Sequence, residues 1–140
     1  MRNILAIDFG TKVIGLAVFK EGNDPFPIGA GRIIVKDDNQ TLIELRQMIE
    51  DEFINHIVIG IPMYLDGKDS VMTQKVRKFK NLLVSKLSKN ITFHEIDESL
   101  STIEAKERMK NSPAFNFKVN IKKIDEVSAV IILETFVNGH

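Results

Sequence analysis

The sequence predicts an α/β domain in which a five-stranded mixed sheet carries helices on both faces. Three observations point there. Two β-type runs, residues 4–7 and 13–19, are separated by a segment too short for a helix. From residue 37 onward, apolar residues at helical spacing alternate with short continuous apolar runs. The resulting order is β-β-β-α-β-α-β-α-α. Its first three strands are joined by short links and the later ones by helices, which makes the sheet mixed.

Each element has a local reason. Ile4 to Ile7 form a short apolar strand that runs into Asp8-Phe9-Gly10-Thr11, and Val13 to Phe19 form the second strand. Gly22, Asn23, Asp24, Pro25 and Pro27 mark a loop, and a third strand is expected over Gly31 to Val35. Asp37, Asp38 and Asn39 offer capping side chains to a helix whose stripe is Leu42, Leu45, Ile49 and Phe53. Ile57 to Gly60 suit a buried parallel strand, followed by a loop from Pro62 to Asp69. A second helix is expected from Val71 to Leu87, with Val76, Phe79, Leu83 and Leu87 on one stripe. Ile91 to Ile96 form the fifth strand, and Ser101 with Glu104 is a capping-box pattern that opens a short helix to Lys110. A polar and aromatic loop, residues 111–120, leads to a last helix from Lys122 to Val137.

At 140 residues the chain fits one domain, residues 1–140, with no repeat or linker to mark a boundary. It has no cysteine, which excludes disulfides, thiolate metal sites and cysteine nucleophiles. Its histidines, His56, His94 and His140, lack metal-ligand spacing, and the first two are expected to be structural or surface residues. No apolar run reaches the roughly 18 residues of a membrane span. The start of the chain reads as a strand, not a signal peptide, so a cytoplasmic setting is expected. Net charge is zero but unevenly spread. Residues 1–70 hold 7 basic and 11 acidic side chains, whereas residues 71–140 hold 12 and 8, so positive charge gathers in the later helices.

Three acids stand where a catalytic cluster forms in such a sheet. Asp8 ends the first strand, Glu98 follows the fifth, and Asp125 opens the last helix. Sites in open α/β sheets lie beyond the carboxyl ends of parallel strands. At about 100° per residue, Asp125 shares a stripe with Ala129, Ile132 and Phe136, so it faces the sheet. An inward carboxylate needs a cation or a metal partner. Asp125 also has a plainer use, since an acid complements a helix N-terminus. Clustered carboxylates without His or Cys suit Mg²⁺ or Mn²⁺, and two such ions can serve phosphodiester hydrolysis. The spacing Gly10 to Gly15 imitates a phosphate-binding loop, but Leu16 and Ala17 replace the required Lys-Ser/Thr.

The motifs together resemble a known family. Ala6-Ile-Asp-Phe-Gly-Thr-Lys12 with Ile14-Gly15 is similar to the opening signature of the YqgF family. Gly60-Ile-Pro62 with Asp66-Gly67 resembles its central loop, and Gln74-Lys-Val-Arg-Lys-Phe79 its following helix. Asp97-Glu-Ser-Leu-Ser-Thr102 resembles its acidic signature, and Ile124-Asp-Glu-Val-Ser-Ala129 its final helix. Members are described as Holliday-junction resolvases and as nucleases that mature the precursor of small-subunit ribosomal RNA. The resemblance implies a ribonuclease-H-like fold and a metal site at Asp8, Glu98 and Asp125. Two departures remove cations that the family usually carries: Ser99 stands where an arginine is usual, and Val13 where many members have a basic residue.

The expected activity is therefore metal-dependent nucleic-acid cleavage with Mg²⁺ or Mn²⁺. Lys12, Lys75, Arg77, Lys78, Lys118, Lys122 and Lys123 are the candidates for backbone contact. Single-stranded precursor ribosomal RNA is favoured over a four-way DNA junction. Paired cuts in a junction require a stable dimer, and the obvious apolar stripes are already needed to cover the sheet. A monomer or weak dimer follows. The loop with Phe115 and Phe117 either stacks unpaired bases, at about 1–3 kcal/mol each, or tucks onto the body. Two other classes remain open at this point. One is a nucleotide-binding module of actin or sugar-kinase type, whose phosphate loop resembles Asp8 to Thr11. The other is a non-catalytic RNA-binding factor.

Overall fold

The structure, a computed structural model, describes residues 1–62, 71–97 and 101–139. Five strands form one sheet: β1 (Asn3–Asp8), β2 (Val13–Lys20), β3 (Ile28–Ile34), β4 (His56–Ile61) and β5 (Thr92–Asp97). The helices are α1 (Asp38–Asp51), α2 (Val71–Lys86), α3 (Ser101–Lys110) and α4 (Ile124–Val137), and the element order is the expected one. The strand order is β3-β2-β1-β4-β5. β2 is antiparallel to both β1 and β3, while β1–β4 and β4–β5 are parallel, so the sheet is mixed.

β1 is central, and both its faces are covered. That is why it reads as an unbroken apolar run. Leu5 and Ile7 face a core closed by Leu42 and Leu45 of α1 and Val76, Phe79 and Leu83 of α2. Ile4 and Ala6 face Ala129, Ile132 and Leu133 of α4. α3 packs on the outer side of α4 through Ala105, Met109, Val127 and Ile131. All four apolar β1 side chains are fully buried, and burial of a large one contributes about 1.5–3 kcal/mol. The alternation that sorts these side chains also sends Asp8, two residues beyond Ala6, to the α4 face.

Several expected boundaries moved. β3 starts at Ile28, because Gly29-Ala30-Gly31 carries no strand-like alternation, and its register with β2 shifts between Gly15 and Ala17. α1 stops at Asp51, so Phe53 is not on its stripe. Phe53 adopts φ +53° and is 76% exposed, while Ile54 turns inward in its place. That left-handed residue ends the helix where glycine or asparagine is usual, at about 1–2 kcal/mol. The chain must reverse there, since Asn55 donates to the Asn3 carbonyl at the start of β1. α4 begins at Ile124, which leaves Lys122 and Lys123 in the turn before it. Asp37 caps α1 as expected, its side chain accepting from the Gln40 N–H at 2.7 Å. The Ser101 capping box and the loop from Met63 to Asp69 lie outside the described side chains and residues.

His56 and His94 are structural, as expected, but they also find each other. Their rings stack 5.1 Å apart at 10°, His56 Nδ1 lies 2.9 Å from His94 Nε2, and His94 rests on Phe136 of α4. One ring must donate and the other accept, so double protonation sets two donors against each other. Both are pushed below the ordinary histidine value of 6.5, chiefly by burial, with Arg2 and, for His94, His56 adding positive charge. A depressed histidine leaves stability intact above its unfolded value and removes it as pH falls further. Thermal denaturation should therefore show Tm falling below pH 6.5, and His94→Gln should reduce that slope. An unchanged slope in the variant would assign the acid sensitivity elsewhere.

Candidate active site

The carboxyl ends of β1, β4 and β5 form one edge. Ile7 pairs with Ile59, and Ile59 with Glu95, so one step further Asp8 stands level with Gly60 and Ile96. Asp8 is buried, at 8% exposure, at the tip of the most protected strand. Its partner across β2 is Gly15. The missing side chain at Gly15 explains how the site is assembled. A Cβ built there would lie 1.9 Å from the Asp125 carbonyl oxygen and 3.0 Å from the Asp125 Cβ. The first turn of α4 thus rests directly on the Gly15 backbone, beside Asp8. Only glycine permits that approach.

Asp125 is half-buried, and burial raises its pKa, against which the Arg32 guanidinium and the residue's own backbone N–H favour the charged form. Its stripe is the expected one, since Ala129 and Ile132 are buried in the core against the sheet and Phe136 packs at its margin. Glu126, the next residue, latches the helix to the edge strand. Its carboxylate accepts the Gly31 N–H at 2.5 Å and occupies the space over Gly29, whose absent Cβ would lie 2.7 Å from Glu126 Cδ.

Of the three expected ligands, Asp8 and Asp125 are brought to one place, and Glu98 lies outside the described residues. Among the described residues no three His, Cys, Asp or Glu side chains form a metal-binding group. The donor chemistry of the two described acids fits a hard divalent cation: carboxylate oxygens, partly desolvated, with no imidazole or thiolate beside them.

The expected cations divide between the two faces of the sheet. Lys75 and Lys78 of α2 line a cleft of 290 Å³ with Phe9, Thr11, Asp38, Phe79 and Leu82, on the α1–α2 face. Phe9 stacks on Phe79 at 4.6 Å. Lys122 and Lys123 lie on the other face, in a cleft of 210 Å³ with Gly31, Arg32 and Glu126. Lys12 is exposed in the β1–β2 turn, at the edge itself. Arg77 is a half-buried α2 residue that lines neither cleft, and Lys118 sits in the exposed loop before α4. In that loop Phe115 tucks against α3 and α4, while Phe117 is 62% exposed, so the tucked alternative holds for Phe115 alone.

Arg32 was not anticipated. Register pairs it with Gly15, which places Asp8, Gly15 and Arg32 in one row across three strands. The only local signal is the pair of glycines at 29 and 31, which marks a close backbone approach without saying to what.

A family model described as RuvX, Holliday junction resolvase, matches residues 2–139. Among curated relatives, one from Maridesulfovibrio salexigens named "Putative pre-16S rRNA nuclease" is 37% identical over 136 residues, covering 95% of this chain and 96% of its own. A relative of the same name from Salmonella arizonae is 34% identical over 134 residues, covering 95% and 94%. Among solved structures, RuvC of T. thermophilus in complex with a Holliday junction substrate superposes with a TM-score of 0.62 at 9% identity, covering 99% of this chain and 96% of that one. A second T. thermophilus RuvC structure gives 0.59 at 8% identity, covering 97% and 95%. The RuvC likeness establishes a ribonuclease-H-like fold. This chain belongs to the RuvX family, the YqgF proteins that its motifs resemble, a family of nucleases that hydrolyse phosphodiester bonds.

Proposed function

We propose that this chain is a divalent-metal nuclease that processes the 5′ end of precursor small-subunit (16S) ribosomal RNA. It acts as one domain, residues 1–140, in the cytoplasm. The observation that carries the reading is the meeting of Asp8 and Asp125 over Gly15 at the carboxyl edge of the sheet. The names of the curated relatives support the substrate.

Asp8, Asp125 and, next in sequence after β5, Glu98 hold Mg²⁺ or Mn²⁺, two ions in all. When bound, these ions supply an activated water and stabilise the leaving oxygen. The protein's part is to fix the ligands. Asp8 is held by a strand buried on both faces, and Asp125 by a helix clamped at Gly15 and latched through Glu126. Lys12 at the edge, Lys75 and Lys78 on one face, and Lys122 and Lys123 on the other bind the nucleic-acid backbone, with Arg77 and Lys118 further out. Phosphate contacts of this kind position a strand without reading its sequence.

The apolar faces of α1, α2 and α4 are used in the core, which favours a monomer and a single cut in a single strand. The test offers purified protein, in Mn²⁺, a single-stranded precursor segment spanning the 5′ end of 16S RNA and a four-way DNA junction, and measures its mass in solution. A monomer that cuts the RNA and leaves the junction largely intact is expected. A tight dimer making paired, symmetric nicks in the junction would replace this reading with that of a resolvase.

A further inference from the structure

The cleft between β3 and the start of α4 holds more positive charge than the fold uses. Three cations line it, Arg32, Lys122 and Lys123, against one carboxylate, Glu126. Glu126 is already engaged. It accepts from the Gly31 N–H, and Lys123 pairs with it at 3.6 Å. Arg32 and Lys122, both exposed, make no side-chain hydrogen bond or ion pair among the described residues. Arg32 and Lys122 thus line one cleft with no carboxylate bonded to either among the described residues, Asp125 acting on Arg32 only through its charge. Like charges kept together in one cleft mark a place for an anion.

Position says which anion. Asp8, Gly15 and Arg32 are register partners across β1, β2 and β3. Ile14 and Ile33, their neighbours in β2 and β3, face the α1–α2 core, so Gly15 and Arg32 face the α4 side with Asp8. Asp125 fills the space over Gly15, in the middle of the row. Arg32 therefore stands two strand spacings from Asp8, about 10 Å, on the far side of Asp125. That is the reach from a phosphate at the acids to the next phosphate or the next but one along a strand. A guanidinium fork binds a phosphate through two parallel hydrogen bonds, which an ammonium cannot do.

We propose that Arg32, with Lys122 and Lys123, forms a phosphate subsite that grips a single-stranded RNA backbone beside the scissile bond. Arg32 is the principal contact and Glu126 is the latch that shapes the cleft. The inference rests on the proposed nuclease function for its orientation, but its test does not require cleavage.

The test measures binding of a fluorescent single-stranded RNA to the full chain in EDTA by anisotropy, from low to physiological salt, with the RNA checked for integrity. The loss of a charge-assisted contact in Arg32→Gln should weaken binding about 10-fold. The slope of log affinity against log salt should shrink by about 0.7, the contribution of one single-strand phosphate contact. Arg32→Lys should restore the slope and only part of the affinity, since it keeps the charge and loses the fork. Lys89→Gln, a charge-matched change in the α2–β5 connection, should leave both unchanged. Equal affinity and slope in wild type and Arg32→Gln would overturn the subsite, as would an equal loss in Lys89→Gln. If Arg32→Gln binds weakly as expected but wild type fails to cut RNA in Mn²⁺, the subsite stands and the nuclease assignment of substrate falls.

Discussion

Asp8→Asn should abolish phosphodiester cleavage while the protein stays folded, and Asp125→Asn should do the same. Each change removes a carboxylate charge and keeps the side-chain shape. Losing an outer partner of a metal site already costs roughly 10–100-fold, so losing a direct ligand should cost more than that. Stability moves differently from activity, and this separates the site from a structural role. Burial raises the pKa of Asp125, so the folded state disfavours its charge. A raised carboxyl makes stability fall as pH climbs from the ordinary value of 3.8 through the raised one. At neutral pH that loss is complete. The uncharged amide avoids it, so metal-free Asp125→Asn should melt no lower than wild type. Mn²⁺ should raise the Tm of wild type by binding the folded state, and should do so little or not at all for either variant. Chelation should stop wild-type cleavage. Persistent cleavage by purified Asp8→Asn protein in Mg²⁺ or Mn²⁺ would rule this mechanism out.

Gly15→Ala carries the second large effect, although residue 15 contributes no functional group. The added methyl would lie 1.9 Å from the Asp125 carbonyl oxygen and 2.3 Å from its carbon, both backbone atoms of α4. A side chain can rotate away from such a clash, whereas a helix must lift. Below it, α4 is seated on Ile4, Ala6, Ala17 and Val58, so lifting its first turn also loosens that core. Overpacking costs about 1–3 kcal/mol, and a rigid backbone contact belongs at the upper end, which for a chain of this size lowers Tm on the order of 10 °C. Activity should suffer more than stability alone explains, since a displacement of about 1 Å at a catalytic group costs roughly 100-fold. Leu83→Ala provides the comparison. It empties a fully buried position of α2, on the other face of the sheet, at about 2–5 kcal/mol. Below both melting points, Leu83→Ala should keep most of its cleavage and Gly15→Ala should lose it. A Gly15→Ala protein with wild-type Tm and cleavage would mean that the helix does not rest on the strand as described.

Much of this architecture is written in local patterns. The strand and helix periods gave the element order and the mixed sheet. They also put Asp8 at a strand tip and turned Asp125 inward with Ala129 and Ile132, because period-2 and period-3.6 patterns are properties of a short stretch of chain. Position after the fifth strand nominated Glu98 as well, and the family motifs carried the nuclease chemistry onto the same three acids. What local patterns cannot express is which distant residues meet. Gly15 stood in the second strand as one end of a spacing that imitates a phosphate-binding loop, and only the docking of α4 shows it to be the seat of Asp125. Arg32 read as an ordinary strand residue among glycines until strand register set it across from Gly15. The cations, a single group by charge count, were parted to opposite faces by the sheet between α2 and α4. Phe53 followed the helical period of α1, yet the chain had to reverse toward β1, and that long-range demand outweighed the burial of one ring. Period is set within a few residues, but register and docking are set by the joint burial of segments far apart in sequence, so only the folded chain decides them.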